Sequence, residues 1–282
     1  MKNILGIGSA GSNIAKGLVE FKSYDVYYIT TDDIKSTKKK LAVPNYENPE
    51  KYEDMDLSSI EKFLSHIKNN ITVIVSGASI VSGLLLRILE PLKKKGVSIE
   101  IVYIMPEIDV LSGNKSLQEN LVRNVVQEYA RSGVFNRVLL VSNLALEELA
   151  GETTVMDYYD KLNQVFNSIY YMLDVFKNTK PVSSTFSRVK KSCRISTIGI
   201  SSLELGEDKL LFPIKEYSEV LYYFGVNEEK LKTEKNLFRV ITNKVKSKIS
   251  EKNKVSFGIF PTNYEEDYIY TEYYSSIIQK KD

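Results

Sequence analysis

The chain has 282 residues, enough for two domains and short of three, and its 43% hydrophobic and 26% charged content is that of a soluble globular protein with a sizeable core. A formal net charge of +2 gives no direct electrostatic signal for nucleic acid as a primary partner. The single cysteine, Cys193, excludes an internal disulfide or cysteine-based metal cluster, and the single histidine, His66, excludes a multi-histidine metal site.

The elements follow in chain order. Residues 2–7 read as a short buried strand that ends at glycines. Residues 12–21 read as a helix with Ile14, Leu18 and Phe21 at helical spacing. A second strand, 25–30, ends in Thr31-Asp32-Asp33. The polar stretch 35–55, with Pro44 and Pro49, reads as a loop. A helix over 57–67 carries His66 on a polar surface. A β-branched strand follows at 71–75, then an apolar helix at 80–92 that ends in Lys93-Lys94-Lys95-Gly96, a sequence suited to a helix C-terminus. Strand 97–105, helix 117–130 and strand 137–141 complete an alternation that predicts a mostly parallel sheet with helices on both faces.

A long helix is then expected from 155 to about 177, with Leu162, Phe166, Ile169, Leu173 and Phe176 among its apolar positions. The polar, serine-rich stretch 178–191 marks the domain change. Beyond it the pattern is α+β: strands at 195–201, 255–260 and 268–274, a helix at 237–249, and a segment 219–224 that fits strand or helix equally. Cys193, inside an apolar run, reads as a small core residue. No apolar run is long enough to span a membrane, and no secretory signal precedes the first strand. The expected location is the cytoplasm.

The first chemical motif is Gly6-Ile7-Gly8-Ser9-Ala10-Gly11-Ser12-Asn13, G-x-G-x-x-G between a strand and a helix. Glycine lets backbone approach a phosphate, and the amides of a helix start face the anion. With Asp32 at the end of the next strand, this arrangement also fits a dinucleotide enzyme that holds a ribose. A nicotinamide-dependent oxidoreductase is therefore one reading, although no convincing proton donor accompanies it.

Other residues point elsewhere. Ile7-Gly8-Ser9-Ala10-Gly11-Ser12-Asn13 resembles the first phosphate loop of the tubulin/FtsZ family, and Tyr28-Ile29-Thr30-Thr31-Asp32 resembles its second strand, with Thr30 where the family has Asn. Ser76-Gly77-Ala78-Ser79-Ile80-Val81-Ser82-Gly83 stands where the family carries GGGTGTG. Gly77 and Gly83 keep glycines and Ser82 keeps a hydroxyl, while Ile80 and Val81 are bulky. Ser142-Asn143-Leu144-Ala145-Leu146 is similar to the segment whose Asn contacts guanine. Tyr159-Asp160-Lys161-Leu162-Asn163 is similar to the start of the central helix, where an aromatic stacks on the base and an Asn bonds its edge. Tyr159 and Asn163 are four apart and share a helix face, and a π-face beside an amide suits a purine.

The resemblance covers roughly residues 2–177. It implies a Rossmann-like GTPase domain with a parallel sheet (1–152), a long central helix (153–178) and a smaller C-terminal α+β domain (179–282). It implies GTP or GDP as ligand, with or without Mg2+, held by Gly8, Ser9, Ala10, Gly11, Ser12, Asn13, Gly77, Val81, Ser82, Gly83, Asn143, Tyr159 and Asn163; no metal ligand is assigned. It further implies head-to-tail homopolymers with a cytoskeletal role in a prokaryotic cell or a phage-infected host. The family's hydrolytic acids belong in a loop after the central helix. Here that loop, Val182-Ser183-Ser184-Thr185-Phe186-Ser187-Arg188-Val189, has no Asp or Glu. Arg188 can stabilise a phosphate but cannot act as a base, and Glu107 and Asp109 carry no assigned role. Whether the protein is an enzyme stays open, with hydrolysis weak or absent. The competing reading is a non-catalytic structural or regulatory protein that has lost nucleotide.

Overall fold

The computed structural model describes residues 1–280 except 33–34, 48, 108–110 and 204–206. The chain forms two compact units, Met1–Asn167 and Ser168–Asp282.

The first unit contains β1 (Lys2–Ile7), α1 (Gly8–Gly17), β2 (Tyr24–Thr30), β3 (Lys40–Ala42), α2 (Ser58–Phe63), β4 (Asn70–Ser76), α3 (Leu85–Lys94), β5 (Ser98–Met105), α4 (Gly113–Arg131), β6 (Arg137–Ser142), α5 (Asn143–Ala150) and the N-terminal half of α6 (Tyr158–Asn178). Its strands are all parallel, in the order β3-β2-β1-β4-β5-β6. They are mainly apolar, as in Ile101, Val102, Tyr103 and Ile104, all buried, as expected where helices cover both faces. From β1 the chain winds outward one way to β2 and β3, and from β4 it winds the other way. That reversal places a crevice outside the C-terminal ends of β1 and β4, the position where open parallel sheets bind ligands.

Several boundaries differ from the sequence reading: α1 starts at Gly8 instead of 12, α3 at Leu85 instead of 80, after a 3-10 turn, and α4 at Gly113 instead of 117. The segment read wholly as loop contains β3, a three-residue edge strand paired with β2. The long helix starts at Tyr158 instead of 155, because a turn precedes it: the Asp157 amide donates to Thr154 Oγ1 (3.2 Å) and Thr154 Oγ1 donates to Asp157 Oδ2 (2.7 Å).

The second unit takes the C-terminal half of α6, then β7 (Ser183–Ser184), β8 (Ile195–Ser202), β9 (Lys209–Leu210), β10 (Glu219–Asn227), α7 (Glu228–Thr233), α8 (Leu237–Lys248), β11 (Lys254–Thr262) and β12 (Tyr268–Ser275). Its mixed sheet runs β8-β12-β10-β11-β7. Only β10 and β11 are parallel, and β9 pairs with β8. The ambiguous segment 219–224 is a strand because it lies between β12 and β11, with every one of its residues buried. Leu237, Ile241 and Val245 of α8 close one core over Val220, Tyr222, Phe224 and Ile259. Phe176 of α6 packs against Phe260 and Tyr270 at ring distances of 4.9 and 5.6 Å. Cys193 is buried, as its apolar context predicts.

Candidate functional site

The first loop is the turn between β1 and α1. Gly8 has φ +69°, the left-handed conformation that favours glycine. Gly6 and Gly11 serve another purpose. A Cβ on Gly6 would lie 2.5 Å from the Gly11 carbonyl oxygen, and one on Gly11 would run into the backbone carbonyl of Ile74. Those two glycines allow α1 to lie against β1 and β4. Ser9, Ala10 and Asn13 are exposed. Ser12 is buried, its hydroxyl within 3.5 Å of the Gly6 carbonyl. No side chain caps α1 and no acidic residue stands in its first turn. Its leading amides therefore face outward without an intrahelical acceptor, which suits an anion.

The second loop follows β4. Gly77 is pressed against the Tyr103 hydroxyl, which occupies the space a Cβ would need. That phenol donates to the carboxylate of Glu119 (2.9 Å), which also takes Arg123 Nε at 2.9 Å. Burial, and then the Glu119 charge, hold the Tyr103 phenol far above its ordinary pKa. Val81 is core and Gly83 is exposed. The Ser82 hydroxyl points inward and is shared between the carbonyls of Ser79 (2.5 Å) and Gly77 (3.2 Å). Ser79 instead faces the first loop: its Oγ lies 2.9 Å from where a Gly8 Cβ would stand. Gln118 of α4 reaches across to donate to the Ser79 carbonyl (2.8 Å) and the Ser82 hydroxyl (3.3 Å). Sequence reading missed Ser79 and Gln118. Ser79 stood where the family has glycine, and no local pattern links Gln118 to a loop 39 residues away.

The remaining predicted residues lie on α5 and α6. Asn143 is the first residue of α5 and half-buried, Asn163 is half-buried, and Tyr159 is 66% exposed. They make no hydrogen bond to one another among the described contacts. Neighbouring residues tie their elements together. Tyr158 donates to Glu147 of α5 at 2.8 Å. Its phenol is pushed up to about 12 by burial and then by Glu147, with Glu107 after β5 contributing. Asn167 Nδ2 donates to the Ile14 carbonyl of α1 at 3.0 Å, in the space left by Gly17. Tyr159, Asn163 and Asn167 recur every four residues, so the face of α6 that carries the two predicted base contacts is the face anchored on α1. A cavity of about 570 Å³, lined by Glu147, Thr153, Thr154, Tyr158 and Tyr159, opens beside them.

No protein-family model matches this sequence, and no curated protein matches it. Solved structures do. A point mutant of FtsZ from M. jannaschii superposes at a TM-score of 0.68 with 16% identity, over 97% of this chain and 90% of that one. CetZ2 from Haloferax volcanii, a GTPγS-bound protofilament, gives 0.70 at 14% identity, over 97% and 92%. TubZ-Bt, in a four-stranded filament, gives 0.76 at 11%, over 97% and 85%. The chain has the tubulin/FtsZ fold. In the tubulin/FtsZ fold of this chain, the strand-order reversal, the uncapped α1 and the Gly8–Ser79 contact all fall within the first unit. In the second unit, Arg188 is exposed and the segment 182–189 forms β7 and packs Phe186 on Tyr223 at 4.9 Å. Asp109 lies outside the described residues. Among the described residues no helix is long and apolar enough to cross a membrane.

Proposed function

We propose that this protein binds GTP or GDP in the crevice above β1 and β4 and self-associates head-to-tail into cytoskeletal filaments in the cytoplasm, with slow or absent hydrolysis. The observation that carries the reading is the uncapped start of α1 at the strand-order reversal, with Gly8 in a left-handed turn directly against the second loop. The amides of Ser9 and Ala10, ahead of the first intrahelical bond of α1, supply anion contacts. Tyr159 offers an exposed ring and Asn163 an amide edge for the base. The likeness to a CetZ2 protofilament carrying GTPγS and to TubZ filaments supports both the ligand class and self-association. A head-to-tail contact is heterologous and does not close, so it propagates as a filament.

The reading of weak hydrolysis rests on the segment 182–189, which offers Arg188 and no carboxylate. Arginine stabilises phosphate charge but does not orient and deprotonate water. The test is to denature the purified protein and chromatograph the released small molecules, then to follow assembly by light scattering and electron microscopy with GTP, GDP or no nucleotide. Released guanine nucleotide and filaments, with phosphate release at background, are expected. An empty protein that also fails to bind added GTP or GDP refutes the ligand. Absence of polymers at high concentration under all three conditions refutes the filament.

A further inference from the structure

The outer face of α4 is apolar. Leu117 (61% exposed), Leu121 (58% exposed), Val125 and Tyr129 stand four residues apart and are all exposed. At 1.5 Å per residue they form one stripe about 18 Å long. The inner face holds polar groups instead: Glu119, Arg123 and Gln127 are buried. A helix that meets only water on its outer face shows the reverse pattern, and a continuous exposed apolar stripe is the mark of an interaction surface.

The stripe is complementary to itself. Two copies of α4 can be laid antiparallel about a two-fold axis at Leu121. Leu121 then meets its own copy, Leu117 meets Val125, and Tyr129 meets Gly113. Gly113 leaves room for that ring, since a Cβ there would meet nothing within 4 Å. The charges follow the same register. Lys115 is exposed, with no ion pair among the described contacts, and it comes beside Glu128 of the second copy. Glu128 is itself exposed and held by Arg131 at 2.9 Å. A parallel pairing would instead set Lys115 against Lys115 and one Tyr129 ring against the other.

We infer that α4 is a self-association surface through which two copies of this chain pair as an antiparallel, isologous dimer. The occupant is a second copy because sizes and charges match in this one register. An isologous contact closes after two copies. It is therefore distinct from the head-to-tail contact proposed above and rests neither on that contact nor on nucleotide. Where filaments form, it joins one to another. Leu121, at the centre and covered from both sides, is the anchor.

Sedimentation velocity of the full chain over a concentration series, without added nucleotide, tests this with the parent, Leu121→Glu, Lys115→Glu, and Lys115→Glu combined with Glu128→Lys. The parent should show a reversible monomer–dimer equilibrium. Leu121→Glu should raise the dissociation constant roughly tenfold or more, because two carboxylates replace two leucines at the centre, while the thermal midpoint of the dilute protein stays unchanged. Lys115→Glu should weaken the dimer several-fold, and adding Glu128→Lys should restore most of the loss. Cysteines check the register. Leu121→Cys alone, and Leu117→Cys mixed with Val125→Cys, should give disulfide-linked dimers under mild oxidation, and Leu117→Cys alone should not. Cys193 is buried and does not compete. A parent that stays monomeric at every concentration, a dimer indifferent to Leu121→Glu, or cross-linking by Leu117→Cys alone as readily as by Leu121→Cys would overturn the inference. Each of those results leaves the nucleotide and head-to-tail readings standing.

Discussion

Glu119→Ala attacks the buried network behind the second loop. Glu119 is fully buried and Arg123 is 3% exposed. The Glu119 carboxylate accepts from Arg123 Nε and from the Tyr103 hydroxyl, both at 2.9 Å. Removing it leaves a buried guanidinium with its Asn120 contact at 3.1 Å but without the Glu119 carboxylate. Breaking a buried pair from one side costs about 3–5 kcal/mol, and the lost phenol hydrogen bond adds about 1 kcal/mol. Against a total stability of about 5–15 kcal/mol, that is a large fraction. With a urea slope at the upper end of the usual range, about 2–3 kcal/mol/M for a chain of this size, the unfolding midpoint followed by circular dichroism should drop by roughly 1–3 M. The paired replacement Glu119→Leu with Arg123→Met removes both charges and should recover most of the loss, since apolar substitution of a whole buried pair is often neutral or stabilising. A single-variant cost below about 1 kcal/mol, or a double variant no better than the single, would refute the assignment of this pair as a mutually dependent buried unit.

Glycine roles give an opposed pair of tests. Gly11→Ala should cost about 1–3 kcal/mol, because its Cβ meets the Ile74 backbone, whereas Gly113→Ala, which faces open space, should gain about 0.4–1 kcal/mol; equal shifts in thermal midpoint would contradict the packing argument. Tyr159→Ala should weaken GDP by roughly tenfold, from about 1–3 kcal/mol of lost stacking, with the midpoint unchanged because the ring is exposed; intact GDP affinity in the calorimeter removes Tyr159 from the base site. Burial, then the neighbouring Tyr264 and Tyr268, push the Tyr270 phenol up to about 12. Its folded pKa is raised, so the native state holds the proton longer than the unfolded chain. The stabilisation is full below about pH 10 and is lost as pH rises toward 12, worth about 2–3 kcal/mol. Urea midpoints across that window should fall more steeply for the parent than for Tyr270→Phe, and parallel curves would rule this out.

Much of the architecture is legible without coordinates. The parallel sheet follows from apolar β-branched runs such as residues 71–75 alternating with helical spacing, because both signals depend on neighbours a few residues away. The same short range identified the turn at Gly6, Gly8 and Gly11, the long helix and the core position of Cys193. What local pattern could not supply was pairing context. Residues 219–224 suit strand or helix in isolation, and placement between β12 and β11 decides the matter. β3 and β9 are too short to show a period.

The candidate site divides the same way. The sequence by itself determined that a glycine turn opens the first helix and that an aromatic and an amide share a face of α6, since chain spacing alone dictates both. Only the tertiary structure decided that Gly6 and Gly11 are packing glycines while Gly8 supplies the turn, that the Ser82 hydroxyl is used internally, and that Ser79 faces the first loop under the hold of Gln118. Each of those facts depends on which atom fills the space beside a given residue, and the filling atom comes from an element distant in sequence: Ile74 for Gly11, Ser79 for Gly8, Tyr103 for Gly77.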